Sequence, residues 1–299
     1  MSGSPLNPSN AVGPVPLSRT RVSIAAVVIS LNEAINLPRC LRSVDWCDER
    51  LLVDSGSSDG SQSVAAQCGA RVLEHRQAGR FSFTEQRNWA LHHGGLRSDW
   101  VLFLDADEVI GPACRQAIEK AVTAAQGQAD GAVGFELTPR YWFLGRWLRH
   151  SQGFPNWHPR LVRRGELALV GSMWESFPTG SRVGQIHEPY EHYAFSKGID
   201  DWLERHMRYA DWEAEHSLAF LAGEGSRALG TGRQLRLRRF AARLWPLRPL
   251  LRFGQKFLLQ KGFLEGWQGL LFALLMAGYE LITVVKVIER RRLARGLPL

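Results

Sequence analysis

The 299-residue chain is 45% hydrophobic, 10% aromatic and 22% charged, enough apolar residue for a full core, so neither wholesale disorder nor a disulfide-held miniature fits. Its net charge is +8, yet residues 225–264 alone carry ten Lys or Arg and no Asp or Glu, so the basicity belongs to one segment and the remainder is slightly acidic. Cys40, Cys47, Cys68 and Cys114 show no C-x-x-C spacing, which argues against a zinc site or disulfide framework and for reduced thiols.

Residues 1–20 hold four prolines and no apolar run; they read as a disordered tail and not as a signal peptide. A globular domain is expected over 21–220 and a basic amphipathic helical region over 221–299. The nearly continuous apolar run at 22–29 (VSIAAVVI) predicts a strand covered on both faces. Leu37, Cys40, Leu41 and Val44 then recur at helical spacing, with Asn32 or Asn36 as cap. A strand at 50–53, a helix at 61–68 and a short strand at 70–74 complete a β-α-β-α-β order, which requires right-handed crossovers and a largely parallel sheet. A helix over 83–93, a buried strand at 100–104 (WVLFL), an amphipathic helix over 112–125 and a strand at 131–139 follow. The aromatic, basic stretch up to Arg164 has no clear period, 202–220 is helical, and the chain beyond Gly225 reads as helical to its end.

In open α/β sheets ligands bind beyond the carboxyl ends of the strands, and three such ends are polar here: 30–33 (SLNE), 54–59 (DSGSSD) and 105–108 (DADE). The first strand is not followed by G-x-G-x-x-G and the chain has no G-x-x-x-x-G-K-[ST], so neither a dinucleotide site nor a P-loop is supported. Asp105 and Asp107, released together from a buried strand, can both reach a hard divalent cation bridging diphosphate oxygens. Alternatively one of them caps the helix that begins near Pro112. Asp54 either accepts hydrogen bonds from a base or ribose, or stabilises the turn at 55–60.

The order VVISLNEAINLPRCLRSV, LLVDSGSSDGS, EQRNWAL and WVLFLDADE resembles the family-2 inverting glycosyltransferases. Later segments, around Gly171 to Glu175, His192 to Lys197 and Tyr209 to Glu213, are similar to a bacterial subgroup that adds sugars to lipopolysaccharide core, the β-1,4-glucosyltransferases included. The resemblance implies an α/β fold of glycosyltransferase type A, Rossmann-like, with a C-terminal helical extension. It implies a nucleotide-diphospho-sugar donor, UDP-linked, bound with Mn2+ or Mg2+. Asn32 and Glu33 would lie near the nucleotide, Asp54 on the uracil or ribose, and Arg87 along the phosphates. Asp105 would hold ribose or metal, and Asp107 the metal. Inversion by direct displacement needs a general base opposite the leaving diphosphate, and Glu175 is the residue assigned to it. The subgroup's His-Glu pair stands here as Trp174-Glu175, a departure at its first position. Glu188, Glu191 and the Asp200-Asp201 pair are weaker alternatives. The resemblance further suggests Arg160, in PNWHPRLVRR, and His192 as contacts for the acceptor or the phosphates. Histidine ligation of a metal has no support in the spacing.

Residues 233–256 interleave arginines with Phe240, Trp245 and Phe253, a pattern suited to the plane of an anionic membrane or to arginines snorkelling over packed helices. The apolar run at 269–279 falls short of the roughly 20 residues a bilayer span takes, so an interfacial or buried helix is preferred to a spanning one. The expected enzyme is therefore a cytoplasmic one, peripheral on the inner face of the cytoplasmic membrane, using a lipid-linked or saccharide acceptor. Two alternatives are an inactive sugar-nucleotide-binding scaffold and a basic nucleic-acid-binding protein. The second is disfavoured because no helix-turn-helix, zinc-finger, RNP or KH signature accompanies the basic segment.

Overall fold

The computed structural model describes residues 21–126, 128, 130–171, 175–221 and 245–299. The expected tail at 1–20 and the helical reading of 225–244 lie outside the described residues. Strand β1 (Ile24–Ser30) is buried along all seven residues. It pairs in parallel with β2 (Glu49–Asp54) on one side and β4 (Trp100–Asp105) on the other, and β3 (Arg71–Glu74) extends the parallel half beyond β2.

Alternate β1 residues feed two cores, which is why the run is apolar throughout. Ile24, Ala26 and Val28 join Leu52, Leu102 and Leu104 beneath α1 (Leu37–Ser43) and α4 (Pro112–Gln126). Ala25, Val27 and Ile29 join Leu51, Val53 and Phe103 against Ala90 of α3 (Phe83–His93). Helix α2 (Ser61–Gln67) adds Ala65 to the first core. Each large side chain so enclosed contributes about 1.5–3 kcal/mol.

Two local expectations change. Asn36 occupies the N-cap position of α1 without making a side-chain cap; its amide donates instead to Glu33 at 2.6 Å, and Pro38 in the first turn pre-sets the helical φ. Neither Asp105 nor Asp107 caps α4, because a two-residue strand, β5 (Glu108–Val109), intervenes.

The second half of the sheet is mixed. Strands β6 (Gly134–Phe143), β7 (Arg146–Trp147), β8 (His158–Arg163) and β9 (Val183–His192) give the order β3-β2-β1-β4-β8-β6-β9-β5, with β7 paired to β6. The unassigned stretch before Arg164 is thus β7 and β8. Helix α5 (Ile199–Leu221) opens with Asp200 and Asp201 in its first turn, a good position for acids against the helix dipole. After a short helix (Arg248–Phe253) and a π-helical turn, the chain ends in a 28-residue helix (Gly266–Leu293). Gly269 lets the Gly262 carbonyl lie where a Cβ would collide. The stretch Gly262–Leu293 is long and apolar enough to cross a membrane by length and composition.

Candidate active site

Asp105 is the last residue of β4, and β5 begins three residues on by pairing Glu108 with His192 of β9. That register brings one imidazole to two carboxylates: Nε2 lies 3.4 Å from Asp107 Oδ1 and Nδ1 lies 3.7 Å from Glu108 Oε1. Antiparallel pairing of β8 with β4 supplies Arg160, whose guanidinium is 2.6 Å from Glu108, 3.3 Å from Asp105 and 3.6 Å from Glu175. From the buried side of α3, Arg87 donates to Asp105 at 2.5 Å and forms a second, very short ion pair with Glu175. Four carboxylates and three cationic or protonatable groups thus meet at the end of β4.

Charges this deep persist only because they are paired. Burial pushes the Asp105 carboxyl up, but Arg87 and Arg160 outweigh it and hold the group below the usual carboxylate range. Burial likewise opposes ionisation of Asp107, and His192 outweighs it, bringing the carboxyl down to about 2. Burial lowers His192, and Asp107 with Glu108 more than offsets that, so the imidazole rises above its ordinary value. Glu108, fully enclosed, is pushed up by burial despite Arg160. His158, half-buried beside Arg160, is lowered by desolvation and by that charge to about 3. The cluster is walled by Tyr141, whose ring lies 4.7 Å from that of His192, and by Tyr190 beneath Arg160.

Of the residues singled out from sequence, Arg87, Asp105, Asp107, Glu175, Arg160 and His192 share this cluster. Arg160 is only 4% exposed and faces carboxylates, so its position is that of their internal counter-ion and not of an open anion-binding surface. Asn32, Glu33 and Asp54 form a second group in the adjoining loops. Asn32 sits at φ +55°, where Asn is better tolerated than most residues. Its N–H donates to Ser57 and its carboxamide oxygen accepts from the Ser58 N–H, both at 2.8 Å. Asp54 is fully buried and accepts from the Gly56 and Ser57 N–H groups, the Ser57 hydroxyl and Gln62. That is the turn-stabilising arrangement of the two considered for it. Glu188 is exposed, and Glu191 is taken up by Arg140 and Trp142.

Two residues within segments noted from sequence take roles that the sequence reading did not assign. Glu108, adjacent to the Asp105-x-Asp107 pair, binds Arg160 and accepts from the Asp105 N–H at 2.9 Å. Lys197, after β9, joins Glu33 at 2.6 Å, Asp201 at 2.9 Å and the Asn32 carbonyl at 3.1 Å, stitching the first loop to the start of α5.

Among the described residues no three His, Cys, Asp or Glu side chains form a cation cage. A Mg2+-type site needs only one or two carboxylates and takes its other oxygens from phosphate and water. Asp105 and Asp107, with side chains 25% and 10% exposed, are carboxylates of the hard-oxygen type such a site takes.

A family model described as "Glycosyl transferase family 2" matches residues 25–189. A TPR repeat-containing protein of Synechococcus elongatus is 39% identical over 123 residues, which cover 41% of this chain and 28% of that protein. The lipopolysaccharide core biosynthesis glycosyltransferase LpsC of Rhizobium meliloti is 28% identical over 155 residues, 49% of this chain and 53% of LpsC. The chain thus spans about half, or less, of the length of these curated relatives. Among solved structures, the glucosyl-3-phosphoglycerate synthase of Mycobacterium tuberculosis, in complex with Mn2+, UDP and phosphoglyceric acid, shares 16% identity at a TM-score of 0.42. The match covers 58% of this chain and 71% of that one. Since the family model takes in more than half of the sequence, almost the entire sheet and all but His192 of the carboxylate cluster, the chain belongs to glycosyl transferase family 2.

Proposed function

We propose that the protein transfers a hexosyl group, with inversion, from a UDP-sugar to a hydroxyl of a saccharide or lipid-linked acceptor. Lipopolysaccharide core is the acceptor class that the likeness to LpsC supports. The same likeness favours a place on the cytoplasmic side of the membrane, whose anionic surface suits the basic segment at 225–264. The observation that carries the reading is the single guanidinium of Arg87, which touches both Asp105, on the donor side, and Glu175.

In this scheme Glu175 is the base. Its Oε2 is bound by Arg87, while its Oε1 is buried with no hydrogen-bond partner among the described residues, an acceptor atom ready for a sugar hydroxyl. A diphosphate engaging Arg87 competes with Glu175 for the guanidinium, so donor binding frees the carboxylate to take the hydroxyl proton. Asp107 and Asp105 would hold Mn2+ or Mg2+, which when bound would neutralise charge on the departing diphosphate. The uracil would face the loop that Asp54 shapes, with Asn32 and Glu33 at its edge. Arg160 and His192 orient the carboxylates from behind.

Calorimetric titration with UDP, GDP, CMP and ADP, each with and without Mn2+, tests the donor assignment. Metal-dependent binding of UDP alone is expected, and absence of any nucleotide binding would leave only an inactive scaffold. For Glu175→Gln, donor binding should survive while transfer falls by about 10²- to 10⁴-fold; lost UDP binding would remove Glu175 from the base role. For Asp107→Ala, the metal dependence of UDP binding should vanish with the fold retained by circular dichroism, and an unchanged titration would overturn the metal assignment.

A further inference from the structure

The C-terminal helix buries one side and exposes an equally apolar one. Phe272, Ala273, Val284 and Val287 face the protein, whereas Leu270, Leu271, Leu274, Leu281, Val285 and Ile288 are 37–55% exposed. Their spacing places them on one stripe about 27 Å long at 1.5 Å per residue. At the head of the helix Leu258, Leu259, Phe263 and Trp267 continue the apolar surface, with Leu259 81% exposed. Both ends of the stripe carry net positive charge: Lys261 is exposed at one, and at the other Arg291, Arg292 and Arg295 outnumber the exposed Glu289.

We propose that this stripe is a monotopic docking face for an anionic lipid bilayer, with the helix lying in the plane of the interface. Spanning is opposed by what the opposite side holds. Glu280, near the middle of the apolar stretch, is 1% exposed and paired with Arg248 at 2.6 Å and Arg252 at 2.5 Å. Lys286 and Arg290 bind Asp211 of α5 at 2.7 and 2.9 Å. A spanning orientation would carry α5 into hydrocarbon with its exposed Glu204–Arg208 ion pair, whose desolvation costs several kcal/mol. A second copy is opposed by charge, because with both ends cationic either orientation of a partner apposes like charges. Anionic headgroups neutralise both ends. The face is also close to the site: Phe272 packs on Phe143, which packs on Phe195, and two residues before Phe143 on β6 Tyr141 meets His192. The face rests on packing alone; only its use, bringing the site to a lipid-linked acceptor, rests on the proposed transfer reaction.

The test is co-sedimentation of the full chain with vesicles of phosphatidylcholine alone or with about 30% phosphatidylglycerol. It compares wild type with Leu271→Asp/Leu274→Asp and with Arg291→Glu/Arg292→Glu, and on the same preparations measures UDP titration and sedimentation velocity. Wild type should bind the anionic vesicles, each double variant should lose about tenfold in binding, and carbonate should extract wild type from cell membranes. Wild type left in the supernatant with both vesicles overturns the proposal. A Leu-to-Asp variant that dissociates a dimer while still sedimenting with vesicles assigns the stripe to a second copy. Resistance to carbonate assigns it to a span. Absent UDP binding in wild type fails the transfer reading and leaves the vesicle result standing.

Discussion

The parallel half of the sheet and the C-terminal helices are held by opposite means. Strands β1, β2 and β4 are enclosed on both faces by apolar side chains, with Val27, Leu52, Leu102 and Phe103 wholly inaccessible. The C-terminal helix adds Phe272, with Leu275 and Met276 packed beside it, to a small cluster with Phe143 and Leu148, and it buries Ala273, Val284 and Val287 as well. To that modest apolar contact it adds ion pairs at Glu280 and Asp211 and a polar knot in which His150 and Ser151 donate to Glu265 and Lys256 donates to the Ser151 carbonyl at 2.7 Å. Apolar enclosure is non-directional and dense, which suits strands that must hold Asp105 and Asp107 in place. Ion pairs fix an orientation without consuming apolar surface, and that leaves the leucine stripe facing outward.

The largest effect should come from breaking the first region. Phe103→Ala removes a fully buried ring and should cost about 3–5 kcal/mol of global stability, measured by denaturant unfolding, with nucleotide binding lost in parallel. A cost under about 1 kcal/mol would mean that this core collapses around the gap and is less tightly packed than its burial implies.

Glu280→Gln sharpens the contrast. It removes the charge that Arg248 and Arg252 share but keeps the shape, and because both arginines retain partial exposure, 25% and 31%, the loss should be about 1–3 kcal/mol. Hydrogen exchange should quicken in the C-terminal helix and stay slow in β1 and β4, with UDP titration unchanged. Equal acceleration in both regions would show a single cooperative unit.

The contrast also explains what could be read from sequence. The parallel half is built from local signals: β-branched runs, polar strand ends, and a helix between consecutive strands. Its elements were legible to within a residue or two, α3 over 83–93 among them. Strand β9 was not, since only Ile186 and Tyr190 are buried along it and its partner β6 lies about fifty residues away. The carboxylate motif at 105–108 was visible as chemistry, but its counter-ions were not. Arg160 and His192 reach it only through the pairings of β8 with β4 and β9 with β5. Asp54 was undecidable from sequence because an acid before Ser-Gly-Ser suits a ligand and a turn equally; the structure adds the four bonds by which it holds the turn. The apolar run of the C-terminal helix looked too short for a span because Glu280 and Lys286 interrupt it, and the arginines and the aspartate that satisfy them are 28 to 75 residues distant.

The smallest effect is a pH dependence at the junction of the two regions. His206 on α5 stacks on Trp202 at 3.6 Å and meets Tyr279 of the C-terminal helix edge-on. Burial, aided by the nearby Arg205 charge and only partly countered by a bond to the Trp202 carbonyl, lowers its pKa from 6.5 to about 4. Between those values the unfolded chain binds the extra proton and the folded chain does not, so stability rises with pH across that window and is lost as pH falls from about 6.5 towards 4. His206→Gln should flatten this stretch of the stability profile relative to wild type while leaving the carboxylate titrations below it in place. If the two profiles run parallel from pH 7 to 4, the imidazole is protonated in the fold, and the α5 junction is wetter than its stacked rings indicate.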